Sequence, residues 1–277
     1  MTGTLRSTAE VGELYDQMQP MSNEIGDGQF HLWYWYDEVD DDASMEEAMR
    51  RITRKTGEAL GLRPGEHVLD AGCGVGESAF LLAAEAGVRV TGITVSQVQV
   101  DDANRRAEAN GTSDRVTFRY GDFMDLDFPD GTFDAVFAIE ALAYAPDLVA
   151  ALRELGRVLR PGGRISFADF SLEKPMTPEQ VARFTAPLQV NEPLPLADLL
   201  AAVREAGLEV EEYTQCGPRV GGRKAVYRRI EEARRPQMIA KFGEELATAV
   251  AANTQGFFDA MPEYVGYVII SARKPRP

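Results

Sequence analysis

Apolar and polar positions follow two alternating patterns between about residues 66 and 172. Short continuous apolar runs, which are typical of buried strands, alternate with longer segments whose apolar positions recur with the helical period. Strands and helices that follow one another in this way predict a parallel sheet with helices on both faces. Two later segments that read as strands, LEVEEYTQC and YVGYVIISARK, predict an antiparallel pair at one edge of that sheet.

Turn and capping residues mark the ends of these elements. The predicted strands are HVLDAG, VRVTGIT, RVTFRYGD, FDAVFAIEA and GRISFADF, and the predicted helices are GESAFLLAAEAG, SQVQVDDANRRAEAN and PDLVAALRELGRVL. Ser96 is a suitable N-cap for the second helix, because its hydroxyl can accept a hydrogen bond from the first turn. Gly87 and Gly111 stand just beyond the first two helices, and RPGG follows the third.

The composition limits the classes of function. With 44% hydrophobic and 26% charged residues among 277, the chain is typical of a globular protein. Its net charge of −15 should repel nucleic acid and anionic membranes, so we expect neither as a partner. The sequence contains no membrane-length apolar run and no signal-peptide core, which predicts a cytoplasmic protein. Two cysteines and two histidines predict neither a disulfide framework nor a metal site.

The loop VLDAGCGVGESA, residues 68–79, carries the clearest chemical signal. A glycine-rich turn after a buried strand lets the backbone approach a ligand at the edge where parallel sheets bind ligands. The dinucleotide fingerprint fails because Glu77 stands where its third glycine belongs, and no Gly-Lys-Ser/Thr of a P-loop follows. Asp70 would repel a pyrophosphate but suits a cationic amino group, so the loop favours a ligand with an amino acid end.

This loop and the segments after it resemble the class I S-adenosylmethionine-dependent methyltransferases. TGITVSQVQ resembles their second strand and turn, YGDFMDLDFPDGTFDAVFAIEAL their adenine segment, and VLRPGGRISFADF their fifth strand with the turn before it. The resemblance covers about residues 60–172 and includes the ending GYVIISARKP. It implies a Rossmann-like α/β fold with a seven-stranded sheet whose last strand is antiparallel, N-terminal helices, a helical lid insertion, and S-adenosylmethionine as cofactor.

The resemblance also implies a set of cofactor-binding residues. In many members an acid ends the second strand and holds the ribose hydroxyls, and this chain resembles those that use a threonine there, Thr94, with Ser96 and Gln99 nearby. Asp122 would accept a hydrogen bond from the adenine amino group, and Phe123 would present its backbone N–H to the ring. The full implied set is Tyr34, Asp70, Gly72, Cys73, Gly74, Gly76, Thr94, Val95, Ser96, Gln99, Asp122, Phe123, Ile139 and Glu140.

Two N-terminal features resemble microbial natural-product methyltransferases that act on small molecules, including sugar O-methyltransferases. VGELYDQM resembles their first helix, in which Tyr15 would stand over the methyl-donor pocket. FHLWYWYDE resembles their H-x-G-Y-W segment, which places Tyr34 near the cofactor's carboxylate end, although Trp33 replaces the glycine. The implied role is in secondary metabolism, such as antibiotic biosynthesis, on a hydrophobic small-molecule substrate whose pocket includes Tyr15 and Phe170.

The expected catalytic residues lie where the chain departs from this group. FAIEALAYAPD has Ala143 and Tyr144 where the similar O-methyltransferases carry a His-His pair, one member of which takes the proton from the substrate hydroxyl. A tyrosine with an ordinary pKa of about 10 is a poor base at neutral pH. Asp169 remains where the family places a catalytic or orienting carboxylate, so Tyr144 and Asp169 are the catalytic candidates. His67 begins the first core strand, away from the site, and should be structural, whereas a substrate role stays open for His31.

Three functions are compatible with these residues. The first is O-methylation of an apolar polyketide, glycoside or terpenoid, with Asp169 as base or orienter and Tyr144 positioning the substrate. The second is C-methylation of an alkene or prenyl group, alone or coupled to cyclisation, through a carbocation that an aromatic face stabilises by roughly 0.5–2 kcal/mol. The third is a methyltransferase-like cyclase or dehydratase that binds the cofactor without methyl transfer. We prefer methyl transfer, and oxygen slightly over carbon as its acceptor.

Breaks in the strand–helix alternation predict the domain organisation. Residues 1–60 form a helical and aromatic lid segment, residues 61–174 the cofactor-binding core, residues 175–206 and 218–262 insertions over the substrate pocket, and residues 207–217 and 263–277 strands that complete the sheet. The second insertion carries a basic cluster in RVGGRKAVYRRIEEARRP, for which a solvated helix face is favoured over an anionic-substrate site. A homo-oligomer is expected, since the N-terminal helix could close the pocket of a neighbouring copy.

Overall fold

The computed structural model describes residues 7–26, 28, 31–36, 41 and 43–277. Parts of the predicted aromatic segment FHLWYWYDE (residues 30, 37 and 38) and of the acidic run at residues 40–42 (residues 40 and 42) lie outside the described residues. Residues 31–36 and 41 of these two segments are among the described residues.

One mixed sheet organises the described part of the chain. Its strands are β1 (His67–Ala71), β2 (Arg89–Thr94), β3 (Val116–Tyr120), β4 (Phe133–Ile139), β5 (Leu159–Leu172), β6 (Glu209–Gln215) and β7 (Val265–Arg273). The spatial order is β3-β2-β1-β4-β5-β7-β6, and β7 runs antiparallel to both β5 and β6. The other neighbours pair in parallel. This topology confirms the predicted fold class, including the reversed last strand.

Helices flank the sheet and form an additional layer over one of its ends. They are α1 (Thr8–Gly26), α2 (Met45–Glu58), α3 (Glu77–Ala86), α4 (Gln97–Ala109), α5 (Leu148–Val158), α6 (Pro178–Leu188), α7 (Leu196–Glu205), α8 (Lys224–Phe242) and α9 (Glu244–Ala260). Ser96 caps α4 as predicted, with its hydroxyl accepting from the backbone N–H of Gln99. Among the described residues, no helix combines the length and apolarity needed to cross a membrane.

Two apolar cores lie on opposite faces of the sheet. One includes Ile52 of α2, Ala79 of α3 and Ala103 of α4. The other includes Leu155 of α5 and Val203 of α7. Helix α7 therefore packs against the sheet together with α5, which distinguishes it from the rest of the lid expected over residues 175–206. Lid and sheet-packing helices share one amphipathic period, so the sequence pattern alone does not separate them.

The remaining helices of the two insertions pack on one another. Helix α6 contacts α9, and α9 contacts α8. Phe184 of α6 is fully buried and stacks on Phe257 of α9 with ring centroids 4.9 Å apart. Of the basic cluster on α8, Arg228 and Arg229 are exposed, as expected of a solvated helix face.

Candidate active site

A cavity opens at the carboxyl ends of β1, β2 and β4, which is where ligands bind in parallel sheets. Most of the site residues predicted from the sequence meet there. The predicted positions that line it are Tyr15, Asp70, Gly72, Cys73, Gly74, Thr94, Val95, Gln99, Asp122, Phe123, Ile139, Glu140, Tyr144 and Phe170.

The glycine loop after β1 has a backbone that only glycine adopts readily. Gly72, Gly74 and Gly76 have φ values of 88°, 53° and 89°, in the left-handed region. A Cβ at Gly72 would lie 2.4 Å from the Cβ of Ala141, and one at Gly76 would lie 2.4 Å from the ring of Phe118. A Cβ at Gly74 would meet no described atom within 4 Å, although Gly74 lines the cavity. Gly74 therefore presents bare backbone to a ligand, whereas its two neighbours are required by packing.

Asp70 supplies a buried carboxylate beside this loop. Its side chain is 2% exposed, and its Oδ2 atom has no hydrogen-bond partner among the described residues. Burial raises the pKa of Asp70 to about 7. A buried carboxylate without a partner is costly, and a cationic ligand group would relieve that cost. The bare glycine backbone and the unpaired acid together fit the amino acid end of S-adenosylmethionine.

The corner after β2 is a chain of hydrogen bonds that reaches α1. Thr94 donates through its hydroxyl to Gln99 Oε1 at 2.7 Å, and Gln99 Nε2 donates to Gln19 Oε1 at 2.9 Å. The hydroxyl of Ser96 donates to Asp16 Oδ1. Three residues expected to hold the ribose are thus bonded to one another or to α1. Ser96 is fully buried and outside the described cavity lining, so its observed role is to cap α4 and bind α1.

Asp122, the expected adenine partner, is also bonded to α1. Its Oδ2 accepts from the hydroxyl of Thr8, and its Oδ1 accepts from the backbone N–H of Met124 at 2.8 Å. Phe123, the other expected adenine contact, lines the same part of the cavity. Helix α1 therefore contributes one wall of the predicted cofactor site.

Two tyrosines form the centre of the predicted substrate pocket. The hydroxyl of Tyr15 on α1 donates to the hydroxyl of Tyr144 at 2.9 Å, and their rings meet edge to face with centroids 5.7 Å apart. Burial raises the pKa of Tyr15 to about 12 and raises the pKa of Tyr144 well above its usual value. Both hydroxyls are therefore protonated at neutral pH, and they join α1 to the end of β4.

Asp169 is held as a structural anchor for the turn that carries Tyr144. Its Oδ2 accepts from the backbone N–H of Ala143 at 2.9 Å, and its Oδ1 accepts from the backbone N–H of Phe170 at 2.8 Å. Burial raises the pKa of Asp169 to about 7. It is outside the cavity lining given by the described residues. These bonds hold the turn that carries Tyr144, and the expected role of Asp169 as a base or an orienting carboxylate stays a prediction.

Glu140 occupies a strained position directly after β4. Its φ of 51° lies in the left-handed region, which non-glycine residues adopt rarely. Its Oε1 accepts from the backbone N–H of Leu32 at 2.7 Å and from the hydroxyl of Tyr267 at 2.9 Å. Burial raises the pKa of Glu140 to about 8. The two donors fix this carboxyl group in the wall between the N-terminal segment and the sheet.

Tyr34 and Gly76, which were expected as cofactor contacts, make other contacts in the structure, and their binding of the cofactor stays a prediction. Tyr34 is 5% exposed and packs on α2, where its backbone N–H donates to Ala48 O and Lys55 Nζ lies 4.6 Å from its ring centroid. Gly76 begins α3 at its N-cap. Neither belongs to the cavity lining within the described residues, because packing against α2 and Phe118 holds them away from it.

Sequence reasoning missed several residues that the structure brings to the cavity. Three of them are on α1, where Thr8, Val11 and Met18 line the cavity at intervals of three and four positions together with the predicted Tyr15. This spacing is one face of a helix, so the helical period around Tyr15 was the available signal. Val190 follows α6 and lines the cavity without a comparable signal. Of the two histidines, His31 lines the cavity, whereas His67 bonds to Thr91 within the sheet, as expected.

Comparisons with known proteins agree with this geometry. A family model described as a methyltransferase domain matches residues 68–163. The chain is 38% identical over 277 residues to the 27-O-demethylrifamycin SV methyltransferase of Amycolatopsis mediterranei (strain S699), covering 96% of this chain and 97% of the relative.

Two solved structures share the whole fold. The [4+2]-cyclase SpnF matches with a TM-score of 0.85 and 30% identity over 100% of this chain and 99% of its own. The geranyl diphosphate C-methyltransferase of Streptomyces coelicolor A3(2) matches with a TM-score of 0.77 and 20% identity over 98% and 99% of the two chains. The full-length likeness at 38% identity, on this sheet and this glycine loop, shows that the chain belongs to the class I S-adenosylmethionine-dependent methyltransferase family.

Proposed function

We propose that the protein transfers a methyl group from S-adenosylmethionine to a hydroxyl oxygen of an apolar small-molecule natural product. The observation that carries the proposal is the make-up of one cavity. Its β1 and β2 side has a bare glycine backbone and an unpaired buried acid, and its β4 and β5 side is aromatic. The full-length likeness to a methyltransferase whose name denotes an O-demethylated antibiotic supports oxygen as the acceptor.

The residues of the β1 and β2 side would hold the methyl donor. Asp70 would pair with its amino group, and the backbone at Gly74 would approach it closely, since no described side chain intervenes. Asp122 and Phe123 would take the adenine. When bound, S-adenosylmethionine supplies an electrophilic methyl group. The residues of this side therefore contribute by binding and orientation, which can supply a large share of the rate enhancement in a displacement.

The residues of the β4 and β5 side would hold the acceptor. Tyr15, Tyr144 and Phe170 present aromatic surface to the cavity, and α1 supplies Val11 and Met18 beside them. Apolar walls with few polar groups are typical of pockets for hydrophobic small molecules. The tyrosine pair would set the depth to which an acceptor enters, because its two hydroxyls are bonded to each other.

The direct test is product analysis. The purified protein is incubated with S-adenosylmethionine and a panel of hydroxylated polyketides, glycosides and terpenoids, and products are separated by mass. A gain of one CH₂ group, located on oxygen by NMR, is the expected result. Methyl on carbon, or no methylated product from any member of the panel, would contradict the proposal.

C-methylation is a second candidate, favoured by one specific observation. The aromatic rings of Tyr15, Tyr144 and Phe170 share a cavity with Glu140, so the pocket also suits a carbocation. Such a reaction needs no base at the acceptor before methyl transfer. Replacing Tyr144 by Phe would then keep the rate, whereas replacing it by Ala would lower it strongly.

A cyclase that binds the cofactor without methyl transfer is a third candidate. The observation in its favour is the 30% identity to the [4+2]-cyclase SpnF over the whole chain. A product of unchanged mass, or one lighter by a water molecule, formed equally well with S-adenosylhomocysteine, would identify this activity.

The proposal extends to assembly, location and partners. We propose a homo-oligomer, because α1 closes a wall of the cavity mainly through polar side-chain bonds that a second copy could also form. Light scattering that returned the 30.4 kDa monomer mass at micromolar concentration would contradict it. The net charge of −15 supports a partner set without nucleic acid. We also propose a cytoplasmic location.

A further inference from the structure

Methyl transfer to a hydroxyl releases a proton, and neither predicted catalytic residue is placed to accept it. The hydroxyl of Tyr144 is bonded to that of Tyr15, and its raised pKa keeps it protonated. Both carboxylate oxygens of Asp169 accept backbone N–H groups, and Asp169 is outside the cavity lining of the described residues. Of the other ionisable groups in the cavity, Asp70 lies beside the glycine loop that would hold the methyl donor, and Glu140 already accepts two hydrogen bonds, which leaves the imidazole of His31 as the better candidate for the proton acceptor.

His31 brings a basic side chain to the cavity from the N-terminal segment. It is partly buried and lines the cavity together with Glu140 and Tyr144. The next backbone N–H, that of Leu32, donates to Glu140 Oε1 at 2.7 Å. The same oxygen accepts from the hydroxyl of Tyr267 on β7 at 2.9 Å. Because Glu140 directly follows β4, these bonds tie the backbone beside His31 to the strand end whose next turn carries Tyr144.

A backbone carbonyl fixes which nitrogen of His31 bears the proton. Nδ1 lies 3.0 Å from the carbonyl oxygen of Leu32. A carbonyl oxygen only accepts, so Nδ1 is the donor and the lone pair of the neutral ring is on Nε2. Burial lowers the pKa of His31, which keeps the ring neutral at pH 7. The ring thus has the protonation state of a base, with its acceptor atom identified.

We propose that His31 is the catalytic base of the methyl transfer and accepts the proton of the substrate hydroxyl on Nε2. This inference rests on the proposed O-methylation. The substrate O–H bond breaks with its proton passing to Nε2, while the oxygen forms a bond to the methyl carbon and the C–S bond breaks with its electron pair on sulfur. The imidazolium then returns its proton to water. His31 would thereby supply, from the N-terminal segment, the base that the turn after β4 lacks, since that turn has Ala143 and Tyr144.

Steady-state kinetics of two matched variants test the assignment with the substrate found by product analysis. His31→Gln keeps a polar side chain of similar reach without a basic nitrogen, and His67→Gln makes the same change outside the cavity. We expect His31→Gln to lower kcat by about 10²–10⁴-fold, the range for loss of a general base. Its affinity for S-adenosylhomocysteine, measured by calorimetry, should change by less than about threefold. His67→Gln should match the parent in both measurements.

Nitrogen NMR tests the same assignment without turnover. The protein has two histidines, so comparing the parent with His31→Gln assigns both imidazoles. We expect His31 to be neutral at pH 7 with its proton on Nδ1. A proton on Nε2, or a doubly protonated ring at pH 7, would overturn the proposal.

The kinetic outcomes separate this inference from the proposed function. A kcat for His31→Gln within about threefold of the parent, or a loss of S-adenosylhomocysteine binding that parallels the loss of kcat, would overturn His31 as the base. A parent enzyme that forms no O-methylated product would overturn the proposed function, and the NMR result then decides on the protonation state of His31 by itself.

Discussion

Replacing Gly74 by Ala perturbs the cofactor site through a single methyl group. The residue has a φ of 53°, and a Cβ there would meet no described atom within 4 Å. The added methyl group therefore enters the cavity without disturbing the protein's own packing. Gly111 offers a matched control, because its φ is 64°, its Cβ position is equally open, and it lies exposed beyond α4.

The two substitutions should lower stability equally, but only Gly74→Ala should weaken cofactor binding. A non-glycine residue in the left-handed region costs roughly 1–2 kcal/mol. For a domain of this size, we expect both variants to lower Tm by about 2–8 °C. A methyl group forced into a filled space costs about 1–3 kcal/mol, which at about 1.4 kcal/mol per tenfold raises the Kd of Gly74→Ala by roughly 5- to 150-fold. Gly111→Ala should keep the Kd of the parent.

Calorimetry with S-adenosylhomocysteine and differential scanning calorimetry measure the two quantities. Unchanged affinity in Gly74→Ala, with the expected drop in Tm, would refute the assignment of the glycine loop to the cofactor. Equal losses of affinity in Gly74→Ala and Gly111→Ala would show that backbone strain alone disturbs the site, and would also refute the reasoning.

Three further changes test other contacts of the site and its lid. Tyr144→Phe removes the hydrogen bond to the hydroxyl of Tyr15 and should lower kcat by about tenfold at most, whereas a loss of about 10²–10⁴-fold would make Tyr144 itself the base. Because burial raises the pKa of Asp70 to about 7, its anion forms as pH rises, so the affinity for S-adenosylmethionine should increase by about tenfold per unit between pH 5 and 7. Asp70→Asn should abolish that slope in calorimetry, and a slope that persists contradicts the ammonium contact. Phe184→Ala should lower the free energy of unfolding by about 3–5 kcal/mol in urea, and a loss under about 1 kcal/mol would mean that the packed pair α6 and α9 does not unfold cooperatively with the core.

The sequence pattern predicted the sheet well because its signals are local. Short apolar runs, Ser96 at a helix start and glycines beyond helix ends each report on a few neighbouring residues. The position of α7 is set by tertiary packing against α5 and β6, which the amphipathic period of α7 does not encode.

The sequence predicted the site well where a motif fixes the backbone. It predicted the site less well where a side chain can bond to several partners that only the tertiary structure determines. The glycine loop and Asp70 follow from spacing, and both line the cavity. Tyr34 and Asp169 are the residue types that the motifs require. In the structure, however, Tyr34 is hydrogen-bonded to α2, and Asp169 is hydrogen-bonded to the backbone of Ala143. The proposed role of His31 depends on a hydrogen bond from Leu32 to Glu140, which lies at a strand end more than one hundred positions away. No local sequence pattern reveals that bond.

Helix α1 contacts both sides of the cavity, so its movement would open both sides at once. It is hydrogen-bonded to Asp122, Ser96 and Gln99 on the side proposed to hold the methyl donor. It also carries Tyr15 on the side proposed to hold the methyl acceptor. With donor and acceptor bound as proposed, displacement of α1 would open both sides of the cavity, so one opening event would allow exchange of the spent donor and release of the product. Lid motions of this kind often limit turnover. We expect a burst of product in the first turnover followed by a slower steady rate, and a progress curve without a burst would show that opening is faster than chemistry.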